Sequence, residues 1–210
     1  IKSEKNNYGK VIFGMPGKHN ALNALAAFSI AVNLNLSPKK IVNAIKSFKG
    51  IERRFSIITK SPKILIDDYA HHPNEIKSIV DSVKKMYPNK SNLVIFQPHL
   101  FSRTQDFMSE FARALEKFDK IFLLNIYPAR EKPIPGIDST QLLKIIENDN
   151  KKIIHDGELI ENLEIDDSDI IITLGAGDIS EKVETIKKFY DFSENKQDFL
   201  QLEKNYIFCF

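Results

Sequence analysis

Between residues 64 and 75 the chain reads Ile64-Leu65-Ile66-Asp67-Asp68-Tyr69-Ala70-His71-His72-Pro73-Asn74-Glu75, and local rules give it one course. A short, wholly apolar run such as Ile64–Ile66 fits a strand buried on both faces. Pro73 suits the first turn of a helix, where its missing N–H is harmless, and that helix extends to Met86. Asp67 to His72 is then a strand-to-helix turn. Further on, Leu93–Phe96 reads as a strand and Thr104–Lys117 as a helix. Ile121–Ile126 is a strand, Ser139–Glu147 a helix, Ile153–Ile154 a weak strand and Ile170–Leu174 a strong one. After Gly175-Ala176-Gly177 a helix covers Ile179–Phe189, and before the central stretch Phe55–Ile58 is another short strand. Strands alternating with helices predict an α/β fold with a doubly wound, mostly parallel sheet. Such sheets bind ligands beyond the carboxyl ends of their strands.

The first fifty residues follow another pattern. Val11-Ile12-Phe13 reads as a short strand entering the turn Gly14-Met15-Pro16-Gly17. Helices follow from about His19 to Leu34 and, started by Ser37-Pro38, from Ile41 to Phe48, with Gly50 as the stop. They have no parallel sheet of their own, so they read as the tail of a preceding domain. From Asp191 the residues Phe192, Phe199, Leu200, Leu202, Tyr206, Ile207, Phe208 and Phe210 are too apolar for an idle tail, and an extra helix packed on the domain is expected.

With 210 residues, 42% of them hydrophobic, the chain can bury a real core. Its 30 basic and 28 acidic residues are interspersed and leave a net charge of +2, which indicates neither a nucleic-acid nor a membrane partner. The one cysteine, Cys209, excludes a disulfide framework and fits a cytoplasmic location. No apolar run reaches the length of a membrane span, and the polar opening Ile1-Lys2-Ser3-Glu4-Lys5 is not a signal peptide.

Five clusters could carry chemistry. In Gly17-Lys18-His19-Asn20-Ala21-Leu22-Asn23, His19 and Asn20 each share a helix face with Asn23. Imidazole and carboxamides together suit a purine edge, though a helix cap would use the same residues. Arg53-Arg54-Phe55 suits phosphate or ribose oxygens, or is a solvated face. Asp67 to His72 crowds carboxylates, imidazoles and a phenol at a strand end. That density favours function over a plain cap, and a divalent metal site is one reading of it. Alternation sends Asp67 inward to brace the turn, with Asp68, Tyr69 and His71 facing the crevice. In Gln97-Pro98-His99-Leu100-Phe101-Ser102-Arg103-Thr104, Arg103 could fork onto a carboxylate, or pair with Asp106 at the surface. Gly175-Ala176-Gly177-Asp178-Ile179 lets backbone approach a ligand, or is a simple turn. It lacks the third glycine of a dinucleotide fingerprint.

Taken in order, these clusters, with Ile126-Tyr127-Pro128-Ala129-Arg130-Glu131 and Pro133-Ile134-Pro135-Gly136, resemble the Mur ligase family, in its UDP-N-acetylmuramate–L-alanine ligase branch. The resemblance spans about Val11 to Lys188 and implies a Rossmann-like C-terminal domain that brings the amino acid. It divides the chain into residues 1–50, the last helices of an ATP-binding central domain, residues 51–190, the amino-acid-binding domain, and an added segment 191–210. It implies ATP with Mg2+, L-alanine and UDP-N-acetylmuramate as ligands of the complete enzyme. His19, Asn20, Asn23, Arg54 and Asp68 match the ATP side. Tyr69, His71, His99 and Arg103 match the amino-acid side, with His71 or His72 as the base; no protein metal ligand is implied. Leu100 stands where many members carry a second Arg, so the carboxylate clamp rests on Arg103 alone or on a residue from elsewhere. No Gly-x-x-Gly-Lys-Thr/Ser phosphate loop occurs and Ile1 is not Met. The chain is therefore expected to be part of a longer enzyme and inactive by itself. Two rivals stand beside this reading: a sister ligase that attaches a murein peptide to the same sugar, and a non-catalytic nucleotide-binding module.

Overall fold

The computed structural model describes residues 1, 7–155 and 157–206. Helices α1 (Lys18–Asn33) and α2 (Pro38–Ser47) come first. Then follow β1 (Ser56–Thr59), β2 (Ile64–Asp68), α3 (Pro73–Met86), β3 (Asn92–Phe96), α4 (Phe101–Asp106) and α5 (Met108–Leu115). The chain continues through β4 (Lys120–Leu123), α6 (Ser139–Ile145), β5 (Lys151–Ile153), α7 (Leu159–Glu164), β6 (Ile170–Leu174) and α8 (Ile179–Tyr206). The strands form one sheet in the order β1-β2-β6-β3-β4-β5. Only β1 is antiparallel to its neighbour. The doubly wound, mostly parallel sheet is as expected.

The inner strands β2, β6, β3 and β4 are largely apolar because both faces are covered. One core joins Ile66, Val94 and Ile172 to Ile76, Ile79 and Val83 of α3, Phe111 and Leu115 of α5, and Leu142 of α6. The other joins Leu65, Ile95 and Ile171 to Leu159 and Leu163 of α7 and Ile179, Val183 and Ile186 of α8. Each such side chain stabilises the fold by about 1.5–3 kcal/mol relative to exposure. The two-sided arrangement places the site. β2 and β6 are neighbours, yet α3 after β2 covers one face and α8 after β6 covers the other. The connections diverge and leave a crevice at the carboxyl edge.

Several local expectations are corrected. Val11–Phe13 is not a strand; it pairs with none of the six strands, and Phe13 stacks on Phe48 instead, at 6.3 Å. The helix expected over Thr104–Lys117 starts at Phe101 and is interrupted at Phe107, whose ring packs on His72 at 4.7 Å. The strand expected to Ile126 ends at Leu123; Leu124 N–H still donates to Phe96 O, and then the chain leaves the sheet. Short α7 had no strong sequence signal. The backbone after Asp191 is helical to Tyr206. Packing of that segment on the domain lies outside the described residues, as does Cys209. No described helix is long and apolar enough to cross a membrane.

Candidate functional site

The turn after β2 is held from below by its two carboxylates. Asp67 accepts from Arg53 Nε at 3.0 Å and from the Thr173 hydroxyl at 2.8 Å, so it braces the turn, as alternation predicts. Asp68 is buried as well, and is not simply directed at the crevice. Its two oxygens accept from Phe55 N–H at 2.6 Å and Ala70 N–H at 2.7 Å. Burial raises the Asp68 pKa above its usual range, against the lowering effect of those N–H groups and of Arg54. Arg53 also donates to Gly175 O at 2.6 Å, which ties this turn to the one after β6. Tyr69 stands half in solvent, with the guanidinium carbons of Arg53 and Arg54 at 5.2 and 5.7 Å from its ring centre.

The histidines differ in the proton each must carry. His71 Nδ1 lies 2.9 Å from Tyr69 O. A carbonyl only accepts, so Nδ1 carries the hydrogen, and a neutral His71 keeps its lone pair on Nε2. His72 Nδ1 accepts from Asn74 N–H at 3.3 Å. With Glu75 reaching back to the His72 N–H, it completes a capping box on α3. The neutral His72 lone pair is therefore engaged, and of these two histidines His71 is the one whose lone pair accepts no bond among the described residues.

The turn after β3 comes to the same edge. His71 and His99 have ring centres 6.3 Å apart, and Tyr127 stacks on the other side of His99 at 5.6 Å. Arg103 Nη1 lies 3.3 Å from His99 Nδ1 and donates to it. Burial first, then the charges of Arg103 and His71, lower the His99 pKa, while Glu131 opposes them. Arg103 forms no ion pair among the described residues; the surface pairing with Asp106 is not made. Leu100 caps α4 with φ 73°, a backbone region costly for a side chain with a Cβ. It is held there by its N–H donating to Tyr127 O at 2.9 Å. In the third turn, a Cβ on Gly177 would come within 2.6 Å of the Tyr127 ring, and one on Gly175 within 2.8 Å of Gln97 O. Gln97 locks this turn by donating to Asp178 at 2.6 Å and accepting from Ile179 N–H at 3.0 Å. These glycines are explained by close packing.

On the other side of Arg54 and Asp68, a cavity of about 1290 Å³ opens between α1, α2 and the first turns of α3. His19, Asn20, Asn23, Arg54 and Asp68 all line it, beside Met15, Ile41 and Phe48. Asn20 is buried and donates to Pro16 O at 2.7 Å, so it braces the helix start. Arg54 lies 3.8 Å from Glu75 and links this wall to the histidines. The candidates thus fall into two adjoining groups, one around the cavity and one around Arg103. Sequence reasoning missed Glu75, Gln97, Tyr127 and Glu131 as supports, because their partners are fixed only by the fold. Among the described residues no group of three or more His, Cys, Asp or Glu is placed to hold a metal ion.

Comparison with known proteins bears on this arrangement. The family described as Mur ligase, glutamate ligase domain, matches residues 53–177. The UDP-N-acetylmuramate–L-alanine ligase of Flavobacterium psychrophilum is 50% identical over 192 residues, which cover 91% of this chain and 43% of that protein. The enzyme of the same name from Christiangramia forsetii is 48% identical over 189 residues, 90% of this chain and 42% of that protein. The crystal structure of a UDP-N-acetylmuramate–alanine ligase from Thermotoga maritima superposes with a TM-score of 0.70 at 28% identity, covering 87% of this chain and 40% of that one. The chain spans less than half the length of these relatives.

Proposed function

We propose, from the premise that this chain belongs to the Mur ligase family, that it is the amino-acid-binding part of an ATP-dependent ligase joining L-alanine to UDP-N-acetylmuramate in the cytoplasm. Residues 1–50 are then the last helices of the ATP-binding domain, 51–190 the amino-acid domain, and 191–210 an added segment. The observation that carries this reading is the meeting of two groups at one edge. His19, Asn23 and Arg54, read here as the adenine and ribose partners, line a cavity. Beside it Arg103, with no close acidic partner among the described residues, donates to His99, whose ring centre lies 6.3 Å from that of His71.

ATP supplies the phosphoryl group that activates the sugar's carboxylate as an acyl phosphate, which the amine of L-alanine attacks. The residues of this chain hold the attacker. Arg103 takes the L-alanine carboxylate through charge-assisted bonds. Tyr69 and His99 bound the pocket, and His71 Nε2 accepts the proton that the amine must lose. Holding the amine in a near-attack position supplies up to roughly 7–11 kcal/mol of the barrier in well-oriented cases. Magnesium belongs to the reading only as the ion that accompanies ATP, and no residue described here is assigned to it.

The test is phosphate release by the full-length protein. It should require ATP, UDP-N-acetylmuramate and L-alanine together, and a tripeptide should not replace L-alanine. Turnover with the tripeptide instead would identify the sister, peptide-adding ligase. Adenine-nucleotide binding without any turnover would favour a binding module. The 210-residue chain alone, having no phosphate loop, should form no amide.

A further inference from the structure

Arg103 sits near the start of α4, and that start is unusual. Leu100, the capping residue, offers no side-chain bond to the helix and holds φ 73°. An uncapped helix start leaves N–H groups without partners. Here the missing cap comes from a distant loop. One Glu131 oxygen accepts from Ser102 N–H at 2.9 Å and the other from the Ser102 hydroxyl. The same loop holds Leu100 through Tyr127 O and stacks Tyr127 on His99. Both Glu131 oxygens are thus engaged by Ser102, and Arg103, which acts on Glu131 only through longer-range charge, makes no close ion pair among the described residues.

We infer that Glu131 is a positioning residue for amino-acid binding: it replaces the absent cap of α4 and so fixes where Arg103 meets the substrate carboxylate. This rests on the proposed role of Arg103. The loop acts at three successive points, on the backbone of Leu100, the ring of His99 and the N–H of Ser102, so it sets both the position and the rotation of the turn. The carboxylate also makes the choice of acid intelligible. Its charge near the helix start favours the α4 dipole, and its bonds to Ser102 lower its pKa, so it remains an acceptor at any working pH.

The experiment compares Michaelis constants for L-alanine and for ATP in the full-length ligase and its variants. Glu131→Ala should raise the constant for L-alanine by about ten-fold, within the range of a misplaced binding group, and leave that for ATP unchanged. Glu131→Gln, which keeps an acceptor oxygen, should restore most of the loss. Glu131→Ala combined with Arg103→Ala should be no worse than Arg103→Ala alone, since both act through one contact. Effects that multiply in the double variant would overturn the inference, as would Glu131→Ala leaving L-alanine binding intact while Arg103→Ala weakens it. If Arg103→Ala itself has no effect on L-alanine, the role of Arg103 fails and the inference falls with it. Should Glu131→Ala not fold, Glu131→Gln and Ser102→Ala carry the same comparison: smaller rises confined to L-alanine support the inference, and unchanged constants oppose it.

Discussion

In α1 and its exit turn, Leu22, Ile30 and Leu34 stand in solvent at 54%, 62% and 69% exposure, whereas Leu65, Leu93, Ile95 and Ile171 in the sheet are fully buried. The sequence is apolar in both regions, but only the sheet uses that character for its own core. A parallel strand is covered on both faces by helices that its crossovers supply. In α1 and α2 the buried apolar side chains are Phe28 and Ile41, and the pair meets the sheet domain across an open cavity. Within this 210-residue chain stability should therefore be uneven, and the site joins a firmly packed wall to a sparsely packed one. His71, His99 and Arg103 belong to the firm wall, where side chains hold one another. Asn23 and His19 belong to the other wall, on the cavity side.

The strongest way to break this contrast is to truncate one apolar side chain in each region. Leu65→Ala removes a fully buried side chain from the core beneath α8 and should cost about 2–5 kcal/mol. Ile30→Ala, on the exposed face of α1, should stay within about 0.5 kcal/mol. Urea unfolding of the 210-residue chain measures both. A cost for Ile30 as large as that for Leu65 would mean that α1 is buried in solution and that the two regions do not differ.

A smaller effect concerns Asp68, at the seam between the walls. Because burial raises its folded pKa above 3.8, the folded state binds the proton more tightly than the unfolded one. The resulting stability is fully present below pH 3.8 and is lost as pH rises through the folded pKa. Asp68→Asn lacks this slope but can accept only one of the two N–H bonds, from Phe55 or Ala70. It should be less stable than the parent by about 1–3 kcal/mol, and the gap should narrow from pH 4 to pH 7. A gap that widens over that interval would show that Asp68 is held ionised by its neighbours and that burial does not dominate.

Much of the firm wall is legible in the sequence, and the reason is physical. Ile64–Ile66, Leu93–Phe96 and Ile170–Leu174 are short apolar runs, and a parallel strand buried on both faces has no other pattern. Pro73 marked its helix within one residue. The turns after those strands collected His71, His99 and Arg103 because crevices form where connections diverge. What stayed hidden depends on partners far along the chain. Val11–Phe13 has the composition of a strand, but pairing decides strands, and no strand partner lies beside it among the described residues. Nothing near Asp68 signals that Phe55 N–H will bury it. His71 and His72 look alike in sequence, and only Tyr69 O and Asn74 N–H separate the free base from the cap. The link from Glu131 to Ser102 crosses a strand and a long loop, and no local rule reaches across that distance.

The finest probe of the firm wall is the proton on His99, which can be followed by NMR titration of this chain without any substrate. Arg103 donates to His99 Nδ1, so the neutral ring carries its hydrogen on Nε2, and protonating Nδ1 would break that contact and set two cations side by side. Burial, Arg103 and His71 accordingly lower the His99 pKa below 6.5. The stability tied to this group is present above pH 6.5 and is lost as pH falls through the folded pKa. Arg103→Gln removes one lowering charge and should move the His99 midpoint up. Glu131→Gln removes the opposing negative charge and should move it down. Opposite shifts from two neighbours would place His99 between them as the geometry requires. Equal midpoints in all three proteins would mean that His99 swings free of Arg103 in solution. The firm wall would then be as loose at its ligand-facing edge as α1 is on its outer face.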